Sequence, residues 1–151
     1  MAEKHRNDQQ QAAEGDPVVK SLDRLVGTWT VSGEAKGDVT YEWLEGHFFL
    51  VQHVDLEQTG ERSRGIEIIG RERPFGATEP SEDIKSRYYD NHGNTFDYVY
   101  ELEGDTLTIW GGERGSPAFY KGTFSDQGRT LTGSWVYPGG GGYSSTATRL
   151  G

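Results

Sequence analysis

Cysteine is absent from the 151 residues, and the one methionine is the first residue. No disulfide, thiolate metal site or cysteine nucleophile can therefore be built. Basic residues are in deficit: 15 Lys and Arg stand against 24 Asp and Glu, a formal net charge of −9. Nucleic acid and anionic membrane surfaces both require clustered Lys and Arg, so neither is expected as a main partner. No apolar run approaches the ~20 residues that a membrane-spanning helix needs. The opening Met1-Ala-Glu-Lys-His-Arg-Asn-Asp lacks the apolar centre of a signal peptide, so the expected compartment is the cytoplasm. What is abundant is glycine, 22 residues, about twice the usual share, together with 12 % aromatics. That combination fits short, twisted strands joined by tight turns. The length fits one domain with a real core.

Residues 1–16 are polar, include Gln9-Gln10-Gln11, and read as a flexible tail before a domain spanning 17–151. One helix is expected next. Asp16 can cap it, Pro17 suits its first position, and Gly27 can end it. Val18, Leu22, Leu25 and Val26 form an apolar stripe at α-helical spacing. Beyond Gly27 the period becomes two. Strands are expected at 28–36, 39–45, 48–57, 64–72, 84–90, 95–103, 106–111, 118–125, 130–137 and 144–150. The breaks between them, among them Lys36-Gly37-Asp38, Gln58-Thr59-Gly60-Glu61 and Asn91-His92-Gly93-Asn94, supply residues that tolerate positive φ. The stretch 74–83 carries two prolines and reads as the longest loop.

Ten strands with short connections predict an all-β fold, an antiparallel up-and-down β-barrel whose end the short N-terminal helix closes. A two-sheet sandwich shares these signals and is the alternative. Alternation assigns an inner face. Trp29, Val31, Gly33 and Ala35 share one side, as do Val39, Tyr41 and Trp43. Phe96, Tyr98, Tyr100 and Leu102 form another set, and Leu131, Gly133, Trp135 and Tyr137 a fourth. A ten-strand barrel leaves more interior space than one of eight strands. Trp and Tyr lining that space suit a planar or amphipathic small molecule, unless they simply fill the barrel. The run Phe48-Phe49-Leu50-Val51 is apolar on both faces. If one face stays exposed, it favours a homodimer.

Leu25-Val26-Gly27-Thr28-Trp29, a helix end followed by Gly-x-Trp, resembles the opening of lipocalin-like (calycin) barrels. The longer run 25–37, with Glu45-Gly46-His47-Phe48-Phe49-Leu50 after it, is similar to bacterial lipocalin-like domains and more remotely to nitrobindin. The resemblance spans the order of elements over about 18–150. It implies that Trp29 packs at the closed end and that Arg149, on the last strand, lies across it. Nitrobindin-type barrels hold haem through a late histidine. This chain has none after His92, so haem is not expected, and neither is another cofactor or a metal.

Of the four histidines, His5 and His92 fall in the tail and in a turn. His47 and His53 are six residues apart, about 20 Å along a strand, too far to share a metal within it. His53 is the better candidate for a ligand contact. Glu42, Arg64, Glu67, Arg87 and Asp97 are charges within strands, and most are expected on the solvent face. Arg87, beside Tyr88-Tyr89, would need an anionic ligand or a carboxylate if it points inward. Gly139–Gly142 lacks the Lys-Ser/Thr and helix of a phosphate loop and reads as a hairpin at the barrel mouth. The stretch 111–117 reads as another loop, a candidate lid. No Ser-His-acid order, zinc spacing or nucleotide fingerprint appears.

The candidate ligand-binding residues are Tyr41, Trp43, His53, Arg87, Tyr98, Tyr100 and Trp135. The expected function is binding of a small hydrophobic or aromatic molecule, as carrier or sensor. The alternatives are a cofactor-independent cyclase or isomerase in the same cavity and an interaction domain with a filled barrel. An inward ionisable group beside a tyrosine, with a strongly shifted pKa, would favour the enzyme, and an aromatic cavity without such a group the carrier.

Overall fold

The computed structural model describes residues 15–151. It shows a closed antiparallel barrel, in which each of ten strands pairs with its chain neighbours and the last returns to the first. The strands are β1 (Gly27–Gly33), β2 (Lys36–Trp43), β3 (Phe49–Gln58), β4 (Glu61–Gly70) and β5 (Ile84–Asp90). They continue with β6 (Thr95–Glu103), β7 (Thr106–Gly111), β8 (Phe119–Ser125), β9 (Thr130–Val136) and β10 (Tyr143–Arg149). Closure leaves no edge unpaired, which is what the sandwich alternative lacks. No helix among the described residues is long and apolar enough to cross a membrane.

The expected tail falls outside the described residues as far as residue 14. Asp16, at its end, is buried and anchored. Its Oδ1 accepts the Val18 and Val19 N–H groups at 2.9 and 3.2 Å, and Arg71 Nε donates to Oδ2 at 2.8 Å. Burial alone would raise its pKa, but Arg71 and the two backbone donors outweigh this and hold it below the ordinary value.

The helix that follows is a 3-10 helix, Val19–Leu25, not an α-helix. Its buried residues are Val19, Leu22 and Leu25, at spacings of three, while Val18 is 42 % exposed. Three residues per turn bring these side chains into one row, so the apolar stripe is 19, 22, 25 and not 18, 22, 25, 26. A second correction concerns Gly37. It lies within β2 and not in the turn, which forms at Glu34–Ala35. A Cβ at Gly37 would meet the Asp55 carbonyl oxygen at 2.0 Å, so the glycine permits a close backbone approach.

The 3-10 helix plugs the end of the barrel where β1 begins. Trp29 is 1 % exposed and donates from Nε1 to the Leu25 carbonyl at 2.8 Å. Arg149 lies over its ring, 4.3 Å from the centroid, and donates to the carbonyls of Arg24 and Val26. The two side chains that the resemblance paired are thus in contact. Arg24 lies 4.1 Å from the centroid of Phe124, which itself packs against Trp29. Arg149 is therefore a clasp between the last strand, the first strand and the helix. Arg149→Ala should cost about 2–4 kcal/mol, from lost charge-assisted hydrogen bonds and the cation–π contact. Arg149→Lys should recover little, since a point ammonium cannot serve two carbonyls and an indole together. Urea unfolding midpoints check this, and an unchanged midpoint for Arg149→Ala would remove the clasp role.

Candidate functional site

Directly opposed residues of antiparallel strands share a face, so each row of partners runs round the barrel on one side. Tyr41 pairs with Gln52, Gln52 with Glu67, Glu67 with Tyr88 and Tyr88 with Phe96. A second row runs Tyr100, Ile109, Tyr120, Trp135, Tyr143. Both rows face inward. Together, Phe96 apart, they line a cavity of about 560 Å³ that opens at the end opposite the 3-10 helix. The interior is not filled.

Glu67 is the unexpected member. It is 5 % exposed, and Tyr100 Oη donates to its Oε2 at 2.5 Å. Ser86 Oγ, on the next strand, is close enough to favour the charged form but makes no hydrogen bond of good geometry. Burial pushes the Glu67 pKa above the ordinary carboxyl value, against the pull of Ser86 and Tyr100. The phenols respond in kind. Burial, with the Glu67 charge next, pushes Tyr41, Tyr98 and Tyr100 well above the usual tyrosine value. Gln52 Nε2 donates to Tyr41 Oη at 2.9 Å.

Towards the mouth the wall becomes aromatic. Trp135 lies 5.6 Å from Tyr98, 5.7 Å from Tyr120 and 6.0 Å from Tyr137, ring centre to ring centre. Tyr88 and Phe96 continue the belt at 6.4 Å. Glycines seat two of these rings against the wall. A Cβ at Gly65 would meet the Tyr88 ring at 2.5 Å, and one at Gly122 would meet the Tyr120 hydroxyl at 2.3 Å. The absent side chains keep both phenols flat and the lumen open.

Of the seven candidate residues, Tyr41, Tyr98, Tyr100 and Trp135 line this cavity. The other three do not. Trp43 points inward but belongs to the closed end, where its Nε1 donates to Asp23 at 2.8 Å and its ring stacks on His47. His53 is on the outer wall, 3.1 Å from Glu42, because its neighbour Gln52 takes the inward phase. Arg87 is also outside, 2.7 Å from Asp97, because Ser86 and Tyr88 face in. His47 lies in the β2–β3 turn and shares no strand face with His53. Glu42, Arg64, Arg87 and Asp97 are exposed as expected, and Glu67 is the exception. The loop 112–117, a candidate lid, is latched to the outer wall. There Arg114 donates to Asp83 and Glu101 and lies 4.9 Å from the Trp110 centroid. The apolar run divides as well: Leu50 is in the core, Val51 is buried and Phe48 is half exposed. Sequence reasoning missed Glu67, Gln52, Tyr88, Tyr120 and Tyr143.

Among the described residues, no group of three or more His, Asp or Glu gathers as a metal site. No protein-family model matches the chain, and no curated protein matches it.

The raised Glu67 pKa has a consequence for stability. The folded chain holds this proton more tightly than the unfolded chain does. Its contribution therefore weakens stability progressively as pH rises from the ordinary carboxyl value through the raised one. Glu67→Gln should flatten this part of the curve and leave the variant at least as stable as the parent at neutral pH. Thermal melts from about pH 4 to 8 test this, and parallel curves for the two proteins would refute it.

Proposed function

We propose that the barrel binds a small hydrophobic or aromatic molecule in its interior, as a carrier or sensor. The observation that carries this reading is an open cavity of about 560 Å³ lined by aromatic rings with a few polar groups among them. Ligand sites are commonly about 300–1,000 Å³, largely apolar, with a small number of placed polar groups. Rings held flat by Gly65 and Gly122 offer faces for stacking, and the phenols offer hydrogen bonds. The resemblance of the opening motif to lipocalin-like barrels, and the Trp29–Arg149 contact, point the same way.

A second reading, an acid–base enzyme acting on a small metabolite in the same cavity, is favoured by one inward ionisable group beside a tyrosine, Glu67 against Tyr100, while much of the rest of the lining is aromatic and apolar. A buried carboxyl of raised pKa touching a tyrosine is equipped to move a proton. A carrier releases its ligand unchanged, whereas an enzyme returns an isomer. Mass and NMR spectra of a recovered ligand separate the two.

Native mass spectrometry of the protein with cell extract, and titration with the neutral fluorophore prodan, test the binding itself. Prodan should brighten and shift to the blue as it enters the lumen. Ala147→Phe places a ring in the cavity and should abolish this without unfolding the barrel. Absence of any bound small molecule and of any prodan response would defeat the reading.

A further inference from the structure

The cavity is electrostatically lopsided. Its depth holds one carboxyl group, Glu67, whose Oε2 is taken by Tyr100. The hydrogen bond from Tyr100 is to Oε2 alone, and Glu67 is one of the residues that line the lumen. The only bases among the described lining residues are Arg62 and His92, both at the mouth. Each is already committed: Arg62 donates to both oxygens of Asp55 at 2.8 and 2.9 Å, and His92 Nε2 sits 3.0 Å from the Arg62 carbonyl. No described cation reaches the buried carboxyl group. A carboxylate out of water without a partner is costly, and proteins normally supply one.

Around Glu67 the lumen is lined by aromatic side chains. Tyr41 and Tyr98 are near enough to feel its charge, and Tyr120 and Trp135 lie on the row beyond Tyr100. An aromatic face carries a negative quadrupole and attracts cations. A carboxylate and aromatic faces in one lumen are complementary to a positive charge attached to a flat apolar body. The rest of the molecule assists, since a net charge of −9 draws cations to it and repels anions.

We propose that the ligand is a small aromatic amine, its ammonium group paired with Glu67 and its ring held among Tyr41, Tyr98, Tyr120 and Trp135. This rests on the reading of the barrel as a ligand-binding protein and names the ligand's chemistry. The ammonium supplies the missing counter-charge, and the Tyr100 hydroxyl keeps the carboxylate turned toward the lumen. Burial raises the Glu67 pKa when the site is empty, and an arriving ammonium removes the reason for that rise. Neutral molecules of the same shape gain the stacking alone. Aromatic acids meet a like charge.

Calorimetric titration of the full chain near neutral pH tests this with four probes. They are 2-phenylethylamine, tryptamine, the neutral 2-phenylethanol and the anionic 3-phenylpropionate. At least one amine should bind at least tenfold more tightly than the alcohol, and the acid more weakly still. Glu67→Gln should reduce amine affinity at least tenfold and leave alcohol affinity unchanged. The alcohol or acid binding as tightly as the amines, or Glu67→Gln leaving amine affinity intact, would overturn the proposal. If the variant does not fold, the ranking of the four probes on the parent protein decides. Prodan binding without amine binding would reject the amine and keep the cavity as a site. Failure of prodan and of all four probes would reject both.

Discussion

Antiparallel pairing puts opposed residues on one side of the sheet, and closure of ten strands carries that constraint all the way round. It decides where Glu67 goes. Apolar burial alone would favour the opposite phase for β4, since Ile66 and Ile68 now face outward, 37 and 36 % exposed. What resists the slip is geometry. The Thr59-Gly60 turn joins Gln58 directly to Glu61, which sets Gln52 opposite Glu67. Gly65 must also lie beneath the Tyr88 ring. A one-residue shift would turn Ile69 out of the core and drive side chains into that seat. A buried acid that local rules disfavour, held by an over-determined frame, is the pattern expected of a functional group.

The same closure divides the lumen. At one end the 3-10 helix places Val19, Leu22 and Leu25 in one buried cluster with Trp29, Leu50 and Ile69. At the other end no helix of the described residues enters, rings line the walls, and space remains. The packed core and the open lumen thereby lie at opposite ends of one barrel. The stack of Arg149 on Trp29 holds the first without constraining the second. Arg114 holds the loop 112–117 against the outer wall.

Most of this frame was legible in the residues. Alternation in Trp29–Val31, Val39–Trp43 and Phe96–Leu102 marked the inner face correctly, because those strands place aromatics on one side and Thr, Asp or Glu on the other. Most strand positions followed from glycine and asparagine at the breaks, Gly37 being the glycine that misled, and the 74–83 break from its prolines. The helix type was missed because Val18 and Val19 are adjacent, and either can begin an apolar stripe. The site was half legible. In β3 and β4 the apolar residues fall on both faces, so alternation alone could not choose between Gln52 and His53, or between Glu67 and its isoleucine neighbours. The missing signal was register. A two-residue turn at Thr59-Gly60 places Val54 opposite Gly65 and Leu56 opposite Ser63. That pairing carries Glu67 inside with them. Strand-by-strand reading considers one strand at a time, and this information lies between two.

Closure also has a kinetic side. Nine of the ten strand pairings join chain neighbours, and each can form as a local hairpin or short meander. The tenth, β1 with β10, joins residues such as Trp29 and Arg149 across nearly the whole described chain. Local pairings form quickly, and the long-range one waits on the largest loss of chain entropy. Until it forms, the protein is a curled sheet with two bare edges, each able to accept a strand from another molecule. Arg149, the last residue of β10 and the partner of Trp29, lies at the seam whose pairing removes both edges, so the one long-range pairing in the barrel is also its protection against misassembly.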